Sequence, residues 1–179
     1  MGYNNILDLA NALNPLSEEQ GATAAVVLLL TPSCDDFKIL FVRRVENPRD
    51  PWSGQISLPG GKRDEKDENL TETVIRETRE ETGINLDQCQ FLGVLQGLIS
   101  PPRPEMKILP FVAFCEKQPP VVLNKEEMEG FFWISLSELM QNRGTVSFPF
   151  GEFPAYITGE NVIWGLTYRI VKKFIQIID

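Results

Sequence analysis

The chain has 179 residues, 42% hydrophobic and 23% charged, enough to pack one domain over 1–179 without covalent staples. Its 17 basic against 25 acidic residues leave a net charge of −8, which disfavours a phosphate polymer as partner. There is no histidine, which excludes serine–histidine and cysteine–histidine catalysis and histidine-ligated metal sites; proton transfer falls to Glu, Asp, Lys, Tyr or a metal-bound hydroxide.

In chain order, Ile6, Leu7, Ala10 and Leu13 recur at helical spacing and predict a short helix within an N-terminal extension over 1–21. Positions 1–13 lack the pattern of a signal peptide, and the apolar run 24–30 is too short to span a bilayer. The expected compartment is the cytoplasm, and no membrane partner is expected. Residues 22–31 and 37–44 read as strands, and 45–56, rich in Asn, Pro, Arg, Asp, Gly and Trp, as a long shaped loop. After a tight turn at 57–62, Asn69 is a plausible N-cap with Glu72 at the third helical position. That helix runs to about Thr82, with Gly83 as its left-handed cap. Strands follow at 91–99, 108–115 and 131–134, then a short helix capped by Ser135 and Glu138. The periodic positions 163, 166, 170, 174 and 177 predict a closing amphipathic helix over 162–178. The fold class is α/β, a central mixed sheet with helices on both sides. Cys34, Cys89 and Cys115 are odd in number and far apart, so they read as reduced, mostly buried thiols.

The segment 60–84 concentrates acids on one helix. Glu77, Glu80 and Glu81 fall within an arc of about 100°, since positions three and four apart stack on one face. Three like charges there repel, a cost that a hard divalent cation among them would relieve. A solvated acidic helix face has the same spacing.

Here the residues resemble a known motif, the Nudix box G-x5-E-x7-R-E-U-x-E-E-x-G-U, where U is a bulky aliphatic. Glu68, Arg76, Glu77, Glu80, Glu81, Gly83 and Ile84 match it. Lys62 stands where the glycine is expected, with Gly61 one residue earlier, and Thr78 replaces an aliphatic residue. Upstream, Arg44, Arg49, Gly54 and 58–61 (LPGG) resemble the coenzyme A pyrophosphatase branch of the Nudix hydrolase family, with one residue added between Arg49 and Gly54. Residues 164–169 (WGLTYR) are also similar to that branch.

The resemblance implies a Nudix-like α/β/α sandwich and an enzyme using Mg²⁺ or Mn²⁺ to cleave the pyrophosphate of coenzyme A or its thioesters. ADP-ribose, a dinucleotide or a damaged nucleoside triphosphate is the alternative substrate, and an inactive Nudix-fold binding module the alternative of another class. The implied partner is thus a small-molecule nucleoside diphosphate derivative, with a homodimer left open. Glu77, Glu80 and Glu81 would ligate metal with a carbonyl at Gly61, and Arg76 would orient its neighbours. Glu126 is the first choice for a further base, with Glu127 and Glu129 as rivals. Arg44, Arg49, Lys62 and Arg63 could grip phosphates or simply keep the surface soluble. Trp52 could stack on a base or anchor its loop, Trp133 and Trp164 read as core, and Glu68 would hold the loop by a salt bridge or cap.

Overall fold

The computed structural model describes residues 6–17, 21–34, 36–50 and 52–178, with only the backbone at position 7. The helix expected at the start is α1 (Ile6–Ala12); positions 1–5 and 18–20 of the extension, and the Leu7 side chain, lie outside the described residues.

An apolar, β-branched run makes β1 (Ala22–Ser33) the centre of the molecule. It pairs antiparallel with β2 (Asp36–Arg44) and parallel with a second long strand, which makes the sheet mixed. The next elements are β3 (Ile56–Ser57), β4 (Gly60–Lys62), α2 (Leu70–Thr82) and β5 (Gln90–Val94). They are followed by β6 (Leu98–Ser100), β7 (Arg103–Phe114), β8 (Met128–Ser135) and α3 (Leu136–Gln141). The order across the sheet is β3-β2-β1-β7-β5, with β4 also on β1, β6 on β7 and β8 on β2. A separate three-stranded sheet holds β9 (Arg143–Phe148), β10 (Gly151–Thr158) and β11 (Asn161–Trp164), and α4 (Gly165–Ile178) closes the chain.

Alternation along the strands divides the core. Leu28, Leu30, Ile39 and Phe41 point to one face and pack with Leu9, Leu139 and Phe174 from α1, α3 and α4. Val27, Leu29 and Leu40 point to the other and meet Leu70 and Val74 of α2. The result is an α/β fold with a central mixed sheet between helical layers. Arg43 links the two sheets, its Nη2 donating to Asn161 Oδ1 at 2.8 Å while its guanidinium lies 5.1 Å over the Phe132 ring. No helix among the described residues is long and apolar enough to cross a membrane.

Several expectations need correction. The 91–99 segment is two strands, because between the pairs Val94–Phe111 and Leu98–Ile108 residues 95–97 oppose only 109–110, and the extra residue interrupts the ladder. The closing helix starts at Gly165, where φ is +62°; residues 162–164 belong to β11, and Ile163 is buried as a strand residue. Strands β9 and β10 had no counterpart in the sequence reading. The thiol expectation also fails, since Cys89 and Cys115 form a disulfide and Cys34 is exposed. The pairing follows from register: Gln90 lies opposite Phe114, so the residues just outside the ladder face each other with Cα atoms 4.6 Å apart. Denatured without reductant, the protein should therefore show one reactive thiol per chain, and three after reduction. Reduction should cost about 3–4 kcal/mol of stability by urea unfolding, from the freed chain entropy of the loop; three thiols before reduction would remove the cross-link.

Candidate active site

Helix α2 is built by local signals. The Asn69 side chain accepts the Glu72 N–H at 2.9 Å, and Gly83, at φ +71°, donates its N–H to Arg79 O at 2.9 Å. Its buried face carries Leu70, Thr73, Val74 and Thr78, then Glu81 and Thr82. One turn of the core-facing stripe is thus a carboxylate, and Glu81 is only 2% exposed.

What allows this is the glycine pair on β4. Gly60 donates its N–H to Glu81 Oε2 at 2.9 Å. Its φ of +138° suits glycine, and a Cβ there would lie 2.2 Å from Ala25 O. A Cβ on Gly61 would lie 2.4 Å from Glu77 Oε2. The missing side chains let β4 press directly on the two acids.

A second network fixes the exposed side of the helix. Arg76 grips Asp67 in a fork, with Nε to Oδ1 at 3.0 Å and Nη2 to Oδ2 at 2.8 Å. Nη1 donates to Glu77 Oε1 at 2.7 Å and Glu80 Oε2 at 3.1 Å, and Nη2 also reaches the Lys62 carbonyl at 3.1 Å. Asp67 is 7% exposed and further bonded by Thr73 Oγ1 at 2.9 Å. The Arg76 hydrogen bonds hold its carboxyl well below the usual carboxylate range, against the opposing effect of burial.

The charge balance is different at the buried acids. Burial pushes Glu81 up to about 8, opposed by the Gly60 N–H and by Arg44, whose Nη1 is 3.8 Å away. Burial also raises Glu77, opposed by Arg76, while the Glu80 and Glu127 charges add to the rise. Glu127 is brought in by the loop before β8. There Asn124 N–H donates to Glu81 O at 3.0 Å, and Asn124 Nδ2 to Glu127 Oε1 at 2.9 Å.

These groups form the head of a cavity of about 950 Å³. Glu77, Glu81, Gly61, Arg44, Lys62 and Trp52 all line it. Arg44 is steered by Asp50, 2.8 Å from its Nε, and the Trp52 ring has the Arg103 guanidinium 5.5 Å from its centre. The other sequence candidates lie elsewhere. Glu80 is 54% exposed at its side chain, outside the cavity lining, and is tied to the site by Arg76. Arg49 is exposed outside the cavity, where its N–H donates to Asn47. Arg63 turns back to donate to the Asp67 and Glu68 carbonyls. Glu126 is exposed with its N–H on Asn124 Oδ1, and its neighbour Glu127 takes the cavity wall. Glu68 serves the loop through its backbone, its N–H donating to Glu72 Oε2 at 2.7 Å. Trp164, expected in the core, lines the cavity, whereas Trp133 is half-buried against the α2 side of the core. Asp67 was missed, although it stands six residues after Gly61, the offset the box assigns to its first acid.

An all-oxygen donor set suits a hard divalent ion. The fit is supported by Glu81, a buried carboxylate that accepts the Gly60 N–H and has a distant guanidinium, and by the close approach of the Gly61 backbone to the Glu77 carboxylate. Among the described residues no three acidic or cysteine side chains are gathered as a metal cluster, and Arg76 meanwhile holds an oxygen each of Glu77 and Glu80.

Two measurements check this geometry. Asp67→Ala should destabilise the protein by about 3 kcal/mol, because it strips a partly buried guanidinium of its main partner, while Glu68→Ala should cost far less; equal losses in urea unfolding would contradict the assignment. The second concerns Glu81, whose value in the folded chain lies above the ordinary 4.5. Between about 4.5 and 8 the folded chain keeps a proton that the unfolded chain has released, so metal-free stability falls as pH rises through that window. Glu81→Gln should flatten the fall in unfolding curves recorded in chelator, and an unaltered slope would show that Glu81 is not its source.

A family model for the NUDIX domain matches residues 21–152. The chain is 30% identical over 166 residues to the human protein named mitochondrial coenzyme A diphosphatase NUDT8, covering 88% of this chain and 70% of that one. It is 34% identical over 151 residues to the Caenorhabditis elegans protein named peroxisomal coenzyme A diphosphatase ndx-8, covering 83% of this chain but 62% of the longer relative. Among solved structures, the NUDIX domain of Shewanella oneidensis NrtR, complexed with ADP ribose, aligns with a TM-score of 0.57 at 18% identity over 91% of each chain, a likeness of fold. With the acids of α2 seated on the β4 glycines and the family model spanning most of the sequence, the chain belongs to the Nudix hydrolase family.

Proposed function

We propose that the protein hydrolyses the pyrophosphate bond of coenzyme A or its thioesters, giving 4′-phosphopantetheine or its acyl derivative and adenosine 3′,5′-bisphosphate. The observation that carries the reaction type is the convergence of Glu77 and Glu81 on Gly60 and Gly61 at the head of the cavity. The choice of substrate draws on the two relatives named coenzyme A diphosphatases.

Glu77, Glu81 and the Gly61 backbone would hold Mg²⁺ or Mn²⁺, with Glu80 as a further oxygen donor. When bound, the ion supplies charge neutralisation of the diphosphate and acidifies water, which a chain without histidine needs. The protein's own residues do the rest. Gly60 fixes one Glu81 oxygen, Arg76 fixes one Glu77 oxygen, and Arg44 and Lys62 offer cations to the diphosphate from the cavity wall. Glu127, held by Asn124 and bordering the same space, would take a proton from attacking water, the role the sequence reading gave first to Glu126.

With Mg²⁺ or Mn²⁺ present, purified protein should release 4′-phosphopantetheine from coenzyme A, and faster than it splits ADP-ribose or a nucleoside triphosphate. Glu81→Gln should lower turnover by about two orders of magnitude or more with folding retained by circular dichroism. A strong preference for ADP-ribose would overturn the substrate, and wild-type rates in the variant would overturn the role of Glu81.

A further inference from the structure

The cavity wall is chemically of two kinds. Besides the acids, it is lined from the β9–β10 turn and the junction of β11 with α4 by Phe150, Phe153, Pro154, Trp164 and Leu166. Phe148 supports this wall from behind, stacked on Phe150 at 5.2 Å and packed on Trp164 at 4.4 Å between ring centres. Phe153 lies 5.5 Å from Trp164 and 5.6 Å from Phe150. Phe150 nevertheless remains 69% exposed at the lip of the cavity, an unusual place for a phenylalanine in a cluster.

The ring angles indicate what fits. Phe150 and Trp164 are inclined at 40°, Phe153 and Trp164 at 51°, and Phe150 and Phe153 at 54°. The one parallel pair, Phe148 with Phe150, is stacked on itself. A flat base is held best when sandwiched between two parallel rings, and Phe150, Phe153 and Trp164 offer no such slot. Tilted rings instead form an uneven apolar cup that suits a flexible chain. The cup is continuous with the acid-lined head, so its occupant belongs to the same molecule as the diphosphate.

Resting on the function proposed above, we infer that this cup is an acyl-chain subsite, with Phe150, Phe153 and Trp164 setting a preference for acyl thioesters of several carbons over the free thiol. Steady-state kinetics with coenzyme A and its acetyl, hexanoyl and decanoyl thioesters test it. In the wild type KM should fall about twofold to fourfold per added methylene until the cup is filled. Phe150→Ala should bring the decanoyl-to-free-thiol ratio of kcat/KM towards one, while Phe150→Leu, still apolar, should keep most of the ratio. A wild-type series without chain-length dependence, or a ratio indifferent to Phe150→Ala, would overturn the inference even with coenzyme A hydrolysed. Calorimetric titration with S-decanoylpantetheine, which lacks the diphosphate, is independent of turnover. Binding that weakens in Phe150→Ala supports the subsite whether or not hydrolysis occurs, and no binding above that of pantetheine rejects it. Weakened binding of adenosine 3′,5′-bisphosphate in Phe150→Ala would reassign the cup to the base.

Discussion

The Arg76 guanidinium is the joint on which the site depends. It bonds the loop through Asp67, the β4 edge through the Lys62 carbonyl, and its own helix through Glu77 and Glu80. A lysine could not do this, because only the planar fork serves a carboxylate side-on while other N–H groups point elsewhere. Arginine also keeps its charge at any pH where proteins fold, and Asp67 titrates far below neutrality. The Arg76–Asp67 pair is thus insulated from proton concentration, which acts on the pocket through the buried carboxylates Glu81 and Glu77.

Close packing makes the complementary demand. Two consecutive residues without side chains are needed where β4 crosses α2, since one Cβ would strike the β1 backbone and the other the Glu77 carboxylate. β4 is in turn fixed by pairing with Ala24, Ala25 and Val26. The chemistry of the helix therefore depends on the register of the central strand, and the apolar alternation of β1 sets that register.

Local signals were legible in the sequence and long-range ones were not. Asn69, Glu72 and Gly83 mark the ends of α2 within a few residues of the groups they cap. The β1 run is apolar enough to read on its own. Asp67 escaped because counting back from Arg76 lands on Glu68, while the extra loop residue brings Asp67 to the guanidinium. Choosing Glu127 over Glu126 needs the orientation of the Asn124 turn, which spacing does not specify. Strand β10 contains Pro154 in its interior, a residue that argues against a strand, and it is accommodated because pairing with β11 begins only at Ala155. The Cys89–Cys115 bond depends on how β5 meets β7, a register that composition cannot supply.

The aromatic wall belongs to a sheet that shares no ladder with the one carrying β4, and Arg43 with Asn161 is a side-chain tether across the gap. Residues at the β9–β10 turn can therefore drift without disturbing the backbone hydrogen bonds that seat the acids. On the reading proposed above, selectivity and bond cleavage reside in separately mutable parts, so descendants of such a chain could change diet while keeping the same chemistry.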